Sequence, residues 1–288
     1  MRQHIWTRRP AMLGGGREVV SPARALRRRP AWVRQRGAGW LLSALIVVAL
    51  VLCWQAVIWL GHLEEYILPT PLQVLQAFGE SDTRSLILDN LGPTLTEALS
   101  GFVLCLVVGS LLAVAMFASR VVRDGLYPLL IASQAVPTIA IGAVLLVALG
   151  YGPQPKIAVV VLYSFFAVSV NVYDSLQGLD PELPALLRTL GASPWQVLWT
   201  ARIPAALPGF FTGAKLAATY SISGAIYGEW VGATGGLGYA LQMAANQNHS
   251  PTVLAIVVVM AVLGILAFSI VALLERLFVP WSHGGLDR

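Results

Sequence analysis

An all-α, polytopic membrane protein with six transmembrane helices is the fold class this sequence predicts. Three observations carry that expectation. Hydrophobic residues make up 57% of the 288 residues and charged residues only 11%, against about 25% charged in an ordinary soluble domain. Apolar runs recur at lengths near the roughly 20 residues that a helix needs to cross a bilayer. The short segments between them alternate between basic and acidic, as the orientation bias of membrane loops requires.

Residues 1–38 open the chain. They hold ten of its nineteen Lys and Arg residues, among them Arg27-Arg28-Arg29, with Glu18 the only acid. Such a segment has little to bury and is expected to be disordered. A nucleic-acid-binding tail is one reading. Arginines placed just before a span favour a topogenic one, holding this end in the cytoplasm beside anionic lipid, with no nucleic-acid partner. The apolar run that follows is too long for a secretory h-region.

The spans follow in order. Trp40–Leu60 is the first. Gly61–Asn90 is acidic, with Arg84 its one base, and belongs outside; after Leu68-Pro69-Thr70-Pro71 it predicts a short amphipathic helix over Leu72–Phe78. Leu95–Phe117 is the second span, and Arg120 and Arg123 mark the cytoplasmic turn after it. Leu126–Leu149 is the third span, kinked at Pro137. Lys156–Tyr173 is the fourth, with Asn171 near its end. Pro208–Trp230 is the fifth and Thr252–Leu274 the sixth, separated by Val231–Pro251, an outer segment without Lys or Arg. Both termini then face the cytoplasm, and residues 39–288 form one transmembrane domain. Cys53 and Cys105 fall within spans and form no metal or redox motif.

The loop Asp180–Pro208 is the most polar internal stretch. Asp180 and Pro181 suit the start of a helix running to Leu190, and Gly191 suits its C-terminal break. Ser193 and Pro194 start a second helix that carries Trp195, Val197, Leu198 and Trp199 toward Ile203-Pro204. Docking of a soluble partner and packing on its own protein are both open for such a loop.

Enzymatic parts are missing from the sequence. Neither lysine, Lys156 or Lys215, stands in a Gly-Lys-Ser/Thr P-loop, and HExxH and GxSxG do not occur. The chain is therefore expected to be no enzyme, to need no cofactor or metal, and to draw any pumping energy from another subunit. Polar points lie on two spans. On the third, Gln134 and Thr138 are four residues apart around Pro137, so they are expected to share one face of a pathway or of a satisfied kink. On the fifth, Gly213, Ala217, Ser221 and Ala225 recur every fourth residue, Gly224 and Gly228 form a GxxxG, and Tyr220, Ser223 and Glu229 lie nearby. That stripe reads as a self-pairing interface or as internal packing. No acid falls in the middle of any predicted span, which weighs against a proton-coupled transporter or stand-alone channel. A membrane scaffold that only recruits a soluble protein is the third reading.

Leu190-Gly191-Ala192-Ser193, Trp195-Gln196 and Ile203-Pro204-Ala205-Ala206-Leu207-Pro208 resemble the EAA loop of binding-protein-dependent (type I) ABC importer permeases. Counted back from Gly191, the Glu-Ala-Ala triplet falls on Ala185, Leu186 and Leu187, so its glutamate is missing while the Gly-to-Pro spacing is kept. Ser133-Gln134-Ala135-Val136-Pro137-Thr138, Tyr151-Gly152-Pro153 and Gly228-Glu229-Trp230-Val231-Gly232-Ala233 extend the resemblance to the nitrate/sulfonate/taurine branch. The Ala217–Ser221 run and the Glu229-Trp230 pair look most like permeases for the hydroxymethylpyrimidine precursor of thiamine. The resemblance covers about Leu60 to Trp281. It implies a homodimer in the bacterial inner membrane and an ABC ATPase in two copies, docked through Ala185, Leu187, Arg188, Gly191, Ala192, Ser193 and Trp195. It also implies an extracytoplasmic solute-binding protein and a translocation path past Gln134, Pro137, Thr138, Tyr220, Ser221, Ser223 and Glu229.

Overall fold

A computed structural model describes residues 35–282, with side chains from 41 to 281; the arginine-rich stretch up to residue 34 lies outside them. Among the described residues the regular structure is helical. The chain divides after Cys53 into two compact units, the first ending within helix α1 (Gln35–Gly61). That helix starts a few residues before the boundary expected at 39, and nearly all its described apolar side chains are exposed.

In the second unit, Thr70 opens α2 (Pro71–Ala77). Its hydroxyl accepts from the Gln73 amide N–H, and the Gln73 side-chain oxygen accepts from the Thr70 N–H at 2.7 Å. The short helix expected over Leu72–Phe78 is present one residue earlier, with a capping box and a proline at its first position. Val74 and Ala77 then bury against Ala255.

Helix α3 (Ser81–Ala118) is longer than the expected second span. It begins at Ser81 rather than Leu95 and runs straight through Pro93. A proline inside a helix costs about 3 kcal/mol, and tertiary packing offsets it here. Ile87, Leu86 and Leu91 pack on Leu237, Ala240 and Ala244 of α10 (Leu237–Asn246), a helix inside the outer segment Val231–Pro251 that the sequence pattern left unstructured.

The expected third span is not one rod. α4 (Arg120–Ser133) and α5 (Thr138–Leu149) meet at 101°. Gln134 closes α4 and Thr138 opens α5, so the shared face expected from their spacing does not exist. Pro137 precedes α5 with an extended backbone and no N–H, and so starts a new helix instead of bending an old one.

α6 (Pro153–Gln177) lies between α3 and α9 (Ile203–Glu229) and makes its most extensive contacts with them. Glycine makes this closeness possible. A Cβ at Gly213 or Gly228 of α9 would come within 2.8 Å of Val168 Cα or 2.9 Å of Lys156 Cα on α6. Gly101 and Gly109 of α3 similarly face Val160 and Val168. The stripe of small residues on α9 is thus consumed inside the subunit. Cys105, Val168, Val172, Ala217 and Met116 form the main core there.

α11 (Ser250–Phe278) completes the bundle, tied to α9 by a Lys215–Glu275 ion pair of 2.7 Å. Among the described residues four helices, α1, α3, α6 and α11, are long and apolar enough to cross a membrane, and the bent α4–α5 pair counts as a fifth span if taken together. α9 has the length, at 27 residues. Its Gly, Ser and Thr residues and Lys215 lower its apolarity because it faces protein on most sides.

Candidate functional site

Three constructions stand out: a surface loop, an aromatic cavity and a buried polar cluster. The loop lies between α6 and α9. Asp180 Oδ1 accepts from the Glu182 N–H at 2.9 Å, starting α7 (Glu182–Thr189). α7 ends in a Schellman motif. The Gly191 N–H donates to the Arg188 carbonyl and the Ala192 N–H to the Leu187 carbonyl, both at 3.0 Å. Gly191 takes a φ of +86°, which favours glycine.

Ser193 and Gln196 then form a second capping box around α8 (Pro194–Val197). The second helix, expected to run toward Ile203-Pro204 with a separate span from Pro208, is continuous with that span. A π-helical turn over Leu198–Arg202 carries it directly into α9. The widened turn lets the Ile203 N–H reach the Leu198 carbonyl just ahead of two residues, Pro204 and Pro208, that lack a donor. The rigid loop exposes Leu183, Leu186, Leu190, Trp195 and Trp199, with the two indoles edge to face at 5.7 Å. At its base, the Arg202 guanidinium sits 4.7 Å from the Phe117 ring centroid at the end of α3.

The cavity, of about 300 Å³, lies between the α4–α5 break, α6 and α9. Gln134, Tyr163, Phe166, Asn171, Leu216 and Tyr220 line it. The Tyr163 ring stands 5.6 Å from Tyr220 and 5.4 Å from Tyr227, and Tyr227 stands 6.2 Å from Trp230, each pair close to edge-to-face. Four rings thus run from the C-terminal end of α9 to its middle, where the cavity opens.

The polar cluster joins α3, α6, α9 and α10. Glu229 is 1% exposed. It accepts from Thr94 Oγ1 at 2.6 Å and from the Gly238 N–H at 2.5 Å. The Leu237 N–H donates to Thr94 Oγ1 at 2.7 Å and the Gly236 N–H to Asn90 Oδ1 at 2.8 Å. The amides that open α10 are therefore satisfied by side chains of α3 and α9, and a carboxylate at a helix N-terminus is electrostatically favourable there. Beside this clasp, Lys156 Nζ pairs with Glu97 Oε1 at 2.7 Å. Thr94→Val would leave the Leu237 N–H without an acceptor and take from Glu229 Oε1 its hydroxyl donor, with the Gly238 N–H still on Oε2. It is expected to destabilise the protein by roughly 2 kcal/mol, read as a lowered thermal midpoint in detergent. An unchanged midpoint would mean that the clasp does not hold α10.

Comparison with known proteins places this architecture. Residues 105–279 match the family model of the binding-protein-dependent transport system inner membrane component. The chain belongs to this family. It is an ABC transporter permease, and it resides in the inner membrane as a multi-pass protein.

The formylaminopyrimidine transport permease protein ThiX of Halalkalibacterium halodurans is 36% identical over 76% of this permease and 87% of its own length. A probable ABC transporter permease protein of Haemophilus influenzae is 36% identical over 84% and 98%. The putative aliphatic sulfonates transport permease protein SsuC of Bacillus subtilis is 28% identical over 91% and 94%. Among solved structures, the inward-facing MetNI methionine ABC transporter shares the fold, with a TM-score of 0.54 at 22% identity over 66% of the permease and 93% of that chain.

The residues that sequence pattern assigned to a path are dispersed. Gln134 and Tyr220 share the aromatic cavity. Pro137 and Thr138 lie at the α4–α5 break outside its lining. Ser221 donates to the Ala217 carbonyl and borders an apolar cavity between α3, α9 and α11, while Ser223 borders another against α11. Glu229 is enclosed in the clasp. In the loop, Ala185, Arg188, Gly191, Ser193 and Trp195 are exposed, and Leu187 and Ala192 are half-buried.

Sequence reasoning missed Glu97. The start assigned to the second span placed it at the membrane edge, whereas it lies well inside α3 and is 4% exposed. It also read Asn171 as a span-end residue, and Asn171 lines the cavity. The lone Lys156 in an apolar run was the available signal, since a buried ammonium needs a carboxylate.

Proposed function

We propose that this permease is the transmembrane subunit of an ATP-driven importer that moves a small polar solute into the cytoplasm by alternating access. The solute is a pyrimidine precursor of thiamine, or a sulfonate, taurine or nitrate; the relatives named for formylaminopyrimidine, aliphatic sulfonates and taurine support the first three of these. Six spans, formed by α1, α3, the α4–α5 pair, α6, α9 and α11, place both termini in the cytoplasm. The arginine-rich residues 1–38 form the cytoplasmic tail, and residues 39–288 form the permease domain. Two copies pair as a homodimer, each docks one ATPase subunit, and an extracytoplasmic binding protein delivers the solute.

The observation that carries this reading is the rigid apolar surface on the Asp180–Pro208 loop. Water-exposed clusters of large apolar side chains mark sites of protein contact. Leu183, Leu186, Leu190, Trp195 and Trp199 are 43, 56, 74, 66 and 54% exposed, with Arg188 beside them. Ala185, Leu187, Gly191, Ala192 and Ser193 shape the bend that presents them. The missing triplet glutamate leaves the apolar face as the source of docking energy.

The test is co-purification with the candidate ATPase, followed by ATP hydrolysis in lipid with and without the solute-loaded binding protein. Stimulation that requires every component is expected. A complex that never forms would overturn the reading and point to a stand-alone channel or secondary transporter. Within the complex, Trp195→Ala is expected to weaken ATPase association about tenfold, the loss of more than about 1 kcal/mol typical of an aromatic anchor. Unchanged association would remove Trp195 from the docking surface.

A further inference from the structure

We infer that the clasp under α10 is a proton-binding site, in which the side chains of Glu97 and Glu229 share one proton. The site lies apart from the docking loop and the aromatic cavity, and its failure would leave the importer reading untouched.

Glu97 of α3 and Glu229 of α9 are 4 and 1% exposed, and their side chains lie within hydrogen-bonding reach of each other. Three of the four oxygens have donors. Glu97 Oε1 accepts from Lys156 Nζ at 2.7 Å, Glu229 Oε1 from Thr94 Oγ1 at 2.6 Å and Glu229 Oε2 from the Gly238 N–H at 2.5 Å. Glu97 Oε2 is buried and has no donor among the described residues. An ionised carboxylate can only accept, so two ionised side chains could not bond to each other.

The charges do not balance either. Lys156 of α6 is the only cationic side chain among the described residues whose charge acts on either carboxyl group. α10 brings amides and no charged side chain, and the opening amides of a helix offset only about half an elementary charge. Two carboxylates against one ammonium leave a buried negative charge. A buried group in that position takes up a proton rather than stay ionised. One proton brings the three side chains to zero net charge and supplies the O–H donor that Glu97 Oε2 lacks. Carboxyl groups that share a site hold a proton in common for the same reason, and the proton belongs to the pair. A metal ion fits less well. Among the described residues no three His, Cys, Asp or Glu side chains gather as ligands, whereas a hard cation takes roughly six oxygens. The shared proton makes one hydrogen-bonded unit of α3, α6, α9 and α10. Its loss would set two carboxylates against each other at the point where α10 is held.

The experiment uses the full-length permease in a maltoside detergent, which has no carbonyl group of its own. Infrared absorption separates a neutral carboxylic acid from carboxylates and backbone amides. At neutral pH a neutral-acid band is expected that moves in heavy water. Glu97→Gln and Glu229→Gln should each abolish it, because either amide replaces the shared proton with a fixed N–H donor. Asp89→Asn, at an exposed acid of α3, should keep it. Raising the pH strips the proton, so the thermal midpoint of the unaltered permease should fall toward alkaline pH more steeply than that of Glu229→Gln. Elution at the unaltered volume shows that a variant is folded. If neither Gln variant folds, a band that shifts with isotopically labelled glutamate still decides.

Absence of a neutral-acid band, or a band kept in both Gln variants, would overturn the inference. A midpoint raised by sodium chloride and not by choline chloride, without the band, would overturn it in favour of a bound metal ion.

Discussion

Lys156→Met is expected to destabilise the permease by about 3–5 kcal/mol, the cost of leaving a buried charge without its partner. Glu97 is 4% exposed, and its Oε1 has Lys156 Nζ at 2.7 Å. Its Oε2 is buried without a hydrogen-bond partner among the described residues. Glu229 lies in the same cluster, held by Thr94 and the Gly238 N–H. Methionine keeps the stem of the lysine and removes only the charge, so packing is nearly conserved. The measurement is the detergent-unfolding midpoint of the single variant against that of Lys156→Met with Glu97→Leu. Removing both partners should recover most of the loss, because a paired charge contributes little net stability beside an apolar pair. A double variant as unstable as the single one would show that Lys156 serves something other than Glu97.

Gly213→Leu is the second large effect, expected to cost about 3 kcal/mol or more, at or beyond the usual upper range for overpacking. A Cβ there lies 2.8 Å from Val168 Cα and 2.8 Å from the Ala167 carbonyl oxygen. These are backbone atoms, so no side-chain rotation makes room and α6 and α9 must separate. Alanine substitution gives a sharper test by sign. Gly213→Ala should destabilise for the same reason. Gly92→Ala, in α3 with nothing within 4 Å of its would-be Cβ, should stabilise by roughly 0.5–1 kcal/mol through helix propensity. Equal effects at the two glycines would mean that α6 and α9 do not approach as closely as described.

The parts of the fold that were legible in the sequence are those set by local chemistry. Ser193, which caps α8, and Gly191, which ends α7, each act within a few residues, and each does in the structure what its pattern implied. The apolar lengths of α1, α6 and α11 were equally readable. The misses are long-range. Pro93 looks like a helix start until α10 is known to pack beside it. Gln134 and Thr138 look like one face until the chain turns by 101° between them. Glu97 looks peripheral until Lys156, 59 residues away, is seen to reach it. The small-residue stripe of α9 was legible as an interface but not as an interface with α6, because a sequence period says how closely a helix can be approached and not by what. The cavity was half legible for the same reason: Gln134 and Tyr220 were polar points in apolar runs, whereas Tyr163 and Asn171 acquire meaning only when α6 crosses α9.

The π-helical turn at Leu198–Arg202 joins α8 to α9 with no non-helical residue between them. From Pro194 to Glu229 the backbone is helical without a break, a crank of about 50 Å at the usual helical rise. Its handle is the pair of exposed tryptophans, its shaft carries Tyr220, and its far end is locked into the carboxylate clasp under α10. Whatever presses on Trp195 and Trp199 therefore bears on a continuous helical segment that also carries a wall of the cavity and the clasp.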